Sequence, residues 1–256
     1  MEFKKPPIVE AWIEFKVGLA DESLGWDEST AKEFINKHFA DFTEQEVFGL
    51  AEVKIDSKTG KVSPTRMLFE RIRAFTKDRD RCVQAGRNLL VFNQIRQGEG
   101  EWPGYQRLQD GASDALQKYF SFRSLSTLVS ASLHYRDIVA IPKREDDKIR
   151  LEDYFTVYPH LPNGSFGGMS GFRVIMQLPE TCKGGHMTLS VQSLPAFGPS
   201  EDKGRFAMDW HVCSNQGIHD IDSALTWLAQ AHSDLSSAFE SAFTQKGLYL
   251  FEPEGR

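Results

Sequence analysis

The stretch Lys4–Val17, KKPPIVEAWIEFKV, decides the fold. Val9, Ala11, Ile13, Phe15 and Val17 alternate with Glu10, Trp12, Glu14 and Lys16. A period of two puts the first set on one face of a strand and the second on the other, so the pattern predicts a half-buried strand over 8–17. Pro6 and Pro7 fix φ and lack an N–H, which suits the residues just before a strand and keeps earlier ones out of the ladder. Such a strand needs neighbours on both edges and a cover over its apolar face.

The rest of the chain offers both. Thr30 and Glu33 have capping-box spacing, and Ala31, Ile35, His38, Phe39 and Phe42 recur at helical intervals, predicting a helix over 29–42. Three β-like runs follow, FGLAEVKID, RMLFERIRAF and NLLVFNQI, separated by SKTGKVSP and TKDRDR, and they read as an antiparallel meander. WPGYQRL opens a second helix, with Pro103 in its first turn, Tyr105, Leu108, Ala112, Ala115, Leu116 and Tyr119 on one face, and Gly111 weakening it. The order is then repeated. SASLHYRDIVAI alternates, LEDYF offers a short helical turn, and FRVIMQL, HMTLSVQSL and RFAMDWHV read as three strands. A helix of about six turns from Ile221 to Phe243 closes the chain, with Asp220 or Asp222 as its N-cap.

The expectation is therefore an α+β protein of two tandem β-α-β-β-β-α units, residues 1–125 and 126–256, packed as one body with a shared antiparallel sheet. Helices gripping a curved sheet in this doubled way would resemble the saddle of TATA-binding-protein-like folds. The halves share pattern rather than residue identity.

With 256 residues, 40% of them apolar, the chain can bury a sizeable core. A formal net charge of −6 argues against general coating of nucleic acid. Cys82, Cys182 and Cys213 are odd in number and widely spaced, which fits a reducing compartment better than a disulfide framework. No segment has the length of apolar sequence that a signal peptide or membrane span needs, so the expected location is the cytoplasm, with no membrane partner.

Three stretches, PPIVEA at 6–11, LHYRDI at 133–138 with LEDYF at 151–155, and WLAQAHSDLSSAFESAFT at 227–244, together resemble a sporadically distributed family of uncharacterised bacterial proteins of about 250 residues. Members typically have a proline-proline strand, a leucine-x-tyrosine central strand and a terminal helix in which a histidine precedes a phenylalanine by seven residues, here His232 and Phe239. This chain departs from the pattern at Arg136 and Asp137, where an asparagine-containing strand is expected. The resemblance carries no catalytic residues. Its patchy occurrence implies a link to antiviral defence or toxin-antitoxin modules.

The most metal-like cluster is Asp209, His211 and Cys213 on one strand face, with His219 after it. Trp210 and Val212 supply the apolar face, so the trio is expected to meet solvent or a partner rather than an ion. His232 is expected to be a packed histidine bonded to another element, because its neighbours on one helix point in different directions. The glycine-rich PNGSFGGMSGF, 162–172, lacks the lysine and hydroxyl of a phosphate loop and reads as a connection or binding loop.

Between 66 and 87, seven basic residues face three acidic ones, an excess of +4. Phe69, Arg71, Arg73 and Phe75 are expected to share one strand face, and Trp12 stands on the polar face of the first strand. These residues are the expected contact surface. The sequence favours a non-enzymatic protein-binding or adaptor protein whose partner could be a neighbouring gene's product, without metal or cofactor. The alternatives are a ligand-binding or hydrolytic protein with a pocket between sheet and helix, and nucleic-acid binding through the basic strand.

Overall fold

A computed structural model describes residues 3–19, 25–98, 100–123, 126–143, 148–160, 171–182, 184–195, 202–214, 218 and 220–253, with backbone only at 19, 51–54, 64–67, 126 and 179–182. The chain is mixed α+β. In order it runs β1 (Ile8–Leu19), α1 (Glu28–His38), β2 (Glu44–Ile55), β3 (Val62–Phe75), β4 (Arg81–Gly86), β5 (Leu89–Ile95), α2 (Tyr105–Phe122) and β6 (Ser126–Pro142). A 3-10 turn (Leu151–Asp153) leads to β7 (Arg173–Cys182), β8 (Gly185–Ser193), β9 (Lys203–Ser214), α3 (Ile221–Ser241) and α4 (Gln245–Tyr249).

Nine strands form one antiparallel sheet in the order β2-β3-β4-β5-β1-β6-β9-β8-β7. The opening strand therefore lies at the centre, flanked by β5 and β6. Its apolar set is buried as the alternation requires: Ala11, Ile13 and Phe15 lose all exposure and Val17 nearly all. Across the pair, Ile13 faces Leu133 and Ala11 faces Tyr135, and the row continues to Trp210 of β9. Helices α2 and α3 cover this inner face. α2 places Leu108, Ala112, Ala115, Leu116 and Tyr119 against it, and α3 places Ala224, Leu228, Ala231 and Leu235. The Tyr119 hydroxyl donates toward the carbonyls of Gly86 and Arg87, tying α2 to the β4–β5 turn.

Several boundaries differ from expectation. α1 starts earlier, because Asp27, not Thr30, caps it and accepts from the Thr30 N–H at 2.8 Å. It also stops at His38, and Phe39 and Phe42 reach the core from the loop beyond. Pro103 lies outside α2, whose N-cap is Gly104 at φ 91°, a conformation that favours glycine. α3 ends at Ser241, since Thr244 caps the separate short helix α4. The first meander has four strands rather than three. β4 is flanked by β3 and β5, with Cys82, Val83 and Ala85 all buried, so two-sided burial erases the alternation that would reveal it.

Gly111 is where helix propensity and packing disagree. A Cβ there would clash with the ring of Phe92, a core side chain of β5. Alanine would raise intrinsic helix stability by about 1 kcal/mol, but overpacking costs about 1–3 kcal/mol. We expect Gly111→Ala to lower stability in urea denaturation by up to about 2 kcal/mol, and Phe92→Leu in the same chain to recover part of the loss. A stabilised Gly111→Ala protein would show that α2 does not press on Phe92.

Candidate functional site

Two groups of polar side chains lie on opposite faces of the central strands. On the inner face, a cavity of about 670 Å³ opens between the start of β1, the start of α2, β6 and α3. Strand alternation aims Tyr135 and Asp137 of β6 into it, with Leu133 and Val139 on the same side. Tyr105, in the first turn of α2, stacks on His232 of α3 at 3.9 Å and 9°. The Tyr135 hydroxyl and His232 Nδ1 are 3.2 Å apart. With the imidazole proton on Nε2, Tyr135 donates to Nδ1, fixing the ring between the two tyrosines.

Asp137 is the unusual member. Its carboxyl is 1% exposed; Oδ2 accepts from the indole N–H of Trp210 at 3.0 Å, and Oδ1 has no hydrogen-bond partner among the described residues. The Tyr105 hydroxyl is likewise buried and unpartnered among them. Two polar atoms without a protein partner among the described residues thus lie in the lining residues of one cavity, open to pairing with water or a bound molecule. Burial pushes the Asp137 carboxyl up to about 7, with the Trp210 bond opposing, nearby Asp209 adding and Arg96 opposing. Burial also pushes His232 down to about 4 and the Tyr105 and Tyr135 hydroxyls above their usual range. At neutral pH the imidazole and both phenols are uncharged, and Asp137 sits near its midpoint.

The outer face carries a ladder of rings across the central strands. Trp12 of β1 stacks on His134 of β6 at 4.5 Å, His134 stacks on His211 of β9 at 4.2 Å, and His186 of β8 meets His211 edge-on at 6.1 Å. Burial, with His211 beside it, holds His134 well below the usual histidine value; burial, His186 and Lys16 lower His211. Trp12 is thus half-buried, its ring laid on a flanking histidine of the same sheet face.

Asp209, His211 and Cys213 share this face as expected but do not converge. Asp209 pairs with Arg136 at 2.6 Å, His211 belongs to the ring ladder, and the Cys213 thiol contacts the Ser214 carbonyl at 3.6 Å. His219 and most of the loop 162–172 lie outside the described residues. Among the described residues no group of three or more histidine, cysteine or acidic side chains could hold a metal ion, and no helix is long and apolar enough to cross a membrane.

Much of the charge of the basic segment is paired by its surroundings. Arg71 pairs with Glu70, Arg73 with Glu46, Arg79 with Glu44 and Glu46, and Arg81 with Asp41 and Asp80. Arg71 and Arg73 lie over Phe48, and Arg73 and Arg79 over Phe75, which is buried. Phe69 does not join them: a register shift separates it from Arg71, and it packs against the apolar core.

His232 is bonded to another element, as the sequence suggests. Sequence reasoning places Tyr105 on the apolar face of the second helix and gives no functional role to Tyr105, Asp137 or His134. A signal for Asp137 exists, since its position in β6 repeats the apolar face of Leu133, Tyr135 and Val139. In comparisons with known proteins, no family model matches the chain and no curated protein matches it significantly.

The two shifted groups pull stability in opposite directions. For Asp137, the unfolded chain ionises near pH 4 while the folded chain holds its proton to about 7, so stability falls as pH rises through that window. The ceiling on this loss is about 4 kcal/mol. For His232, the unfolded chain takes a proton below its ordinary 6.5 and the folded chain only near 4, so stability rises between those values. Asp137→Asn keeps an acceptor for Trp210 and removes the first effect. The melting temperature of the variant should therefore gain on the wild type steadily from pH 4 to 7 and level off above. A pH-independent difference would mean that the carboxyl is not held in the neutral form.

Proposed function

We propose that this chain is a small-molecule-binding protein whose ligand sits between the sheet and helices α2 and α3. The observation that carries the reading is the pair of unpartnered polar atoms, Asp137 Oδ1 and the Tyr105 hydroxyl, buried in the wall of an aromatic-lined cavity. Its volume falls in the range of small-molecule pockets, which are mostly apolar with a few convergent polar groups. The finer architecture belongs to the same proposal. Each of β1 and β6 pairs with the last strand of its own meander, β5 and β9, and with the other at the centre. This order supports two related halves, 1–125 and 126–256, each a sheet gripped by a helix, with the pocket where they meet. No activity needs to be assumed: His232 and Tyr135 satisfy each other, which leaves neither poised beside a nucleophile.

Ser236 lines the cavity from α3. Ser236→Trp would fill it while leaving the β6 groups in place. In a ligand-observed NMR screen of small aromatic fragments, we expect hits on the wild type that vanish in Ser236→Trp without a fall in melting temperature. Hits that persist in the variant would place binding elsewhere and overturn the reading.

A second reading, contact with a protein partner, is favoured by the β2–β3 hairpin at the sheet edge. β4 pairs only with the end of β3, from Arg71 to Phe75, and on the hairpin Val47, Leu50, Ile55, Val62 and Leu68 are 38–64% exposed. Arg71 and Arg73 would border such a contact, with Trp12 three strands further along the sheet, and a neighbouring gene's product in a defence or toxin-antitoxin module would be its occupant. Leu50→Asp together with Arg71→Glu should then remove the co-purifying protein without loss of thermal stability. Unchanged co-purification would exclude this surface.

A further inference from the structure

The cavity wall also bears on what kind of molecule would enter. Its rings include Phe3, Trp102, Tyr105, Tyr135 and Phe239, and Trp102 lies 6.4 Å from Tyr135 at a 59° tilt, so ring faces and edges surround the space from more than one side. The charged groups in the described lining are Asp137, Glu101 and Glu240 against Lys4. Arg96 stands behind the wall and donates to the Pro6 carbonyl at 2.7 Å, outside the lining. A buried, half-satisfied carboxyl and a box of ring faces together select positive charge: a cation is attracted by the Asp137 carboxylate and by the negative faces of the rings.

We infer that the pocket binds an organic monocation, an ammonium or amidinium head placed against Asp137 Oδ1 with its apolar body along Phe3, Leu235 and Phe239. The inference rests on the pocket being the ligand site. The Tyr105 hydroxyl, the second orphan, accepts from the same head or from a polar group one bond further along the ligand. The groups facing Asp137 are the Trp210 indole from β9, Tyr135 from its own strand, Tyr105 from α2, His232 from α3 and Arg96 beyond β5, with Asp209 acting across the sheet. His232 stays neutral above about pH 4, so it neither repels the head nor competes with Asp137 near neutrality.

The coupling between charge and binding is definite. A bound ammonium ionises Asp137, so below about pH 7 each binding event releases a proton to solvent. Affinity for a cation should rise about tenfold from pH 6 to pH 8, as the ionised fraction of a group titrating near 7 does. Affinity for a neutral molecule should not rise.

Three matched probes test this: 3-phenylpropylamine, 3-phenylpropanol and 3-phenylpropanoate, titrated into the full chain by calorimetry at pH 6 and 8. The amine should bind at least tenfold more tightly than the alcohol at pH 8, and the carboxylate should not bind. Asp137→Asn should bring the amine to within about twofold of the alcohol and abolish its pH dependence, while Ser236→Trp should remove binding of both. The wild-type pH dependence reads the same point even where the Asn variant fails to fold. Equal binding of amine and alcohol, or preference for the carboxylate, would overturn the monocation inference and leave the pocket standing. Failure of all three probes on wild-type protein would sink the inference, and an empty fragment screen alongside it would sink the pocket as well.

Discussion

The antiparallel pairing of β1 with β6 is the contact on which the rest depends. It runs from Ile8 opposite Asp137 to Leu19 opposite Ser126, with shifts near each end. It joins two strand series that share no other ladder among the described residues. Everything of functional interest straddles it. On the inner face it sets Pro7 and Ile8 beside Tyr135 and Asp137, closing one wall of the cavity. On the outer face it sets Trp12 on His134 and starts the ring ladder. Because side chains alternate with a period of two, a slip of one residue would turn Asp137 outward and His134 inward, exchanging the two sites. The apolar set of β6 prevents this, since the same slip would expose Leu133, Tyr135 and Val139.

That strand also explains how much of the structure is legible in the sequence. Where one face is buried and the other open, alternation is written plainly, and β1, β6, β8 and β9 stand close to where the pattern puts them. β4 is hidden because neighbours and core bury it on both sides, leaving six residues without a period. Helix ends shift for local reasons. Asp27 offers a better cap than Thr30, and near the C-terminus the Thr244 hydroxyl accepts from the Gly247 N–H at 3.1 Å and starts a new helix. The candidate site is less legible, for a different reason. Tyr105, Asp137 and His232 come from three elements, and their convergence is a property of the fold. The basic strand misleads in the opposite sense: its excess charge is real along the chain, yet Glu44, Glu46 and Asp41, distant in sequence, cancel much of it in space.

The Asp137 carboxyl also weighs on stability. Leaving one oxygen of a buried acid unpaired costs on the order of 1–3 kcal/mol, and what the fold gains in return is an acceptor for the buried Trp210 indole, which an amide would supply as well. Trp210 accounts for one oxygen only. A group that weakens the folded state and yet lines a cavity has the character of a functional residue, its proton held up to about pH 7 by burial and released when a ligand supplies the missing partner. Tyr105 belongs to the same logic. Its ring is held flat on His232, its hydroxyl meets no acceptor among the described residues, and its backbone position is set by Gly104 in a conformation that starts α2 at the cavity rim.

The outer ladder shows that an unsatisfied polar atom alone does not define a site. His134 Nε2 is buried without a partner among the described residues, as Asp137 Oδ1 is. Yet both faces of the His134 ring are occupied, by Trp12 on one side and His211 on the other, and it is not part of the cavity wall. Stacking between neutral rings supports this arrangement, and the depressed basicity of His134 and His211 keeps them neutral near pH 7. The ladder therefore stiffens the central strands across β1, β6 and β9, holding flat from behind the segment of sheet that forms the floor of the cavity. The two faces are in this sense one device: aromatic stacking outside fixes the strands whose inner side chains, Tyr135 and Asp137, must keep their positions while the space above them is empty or filled.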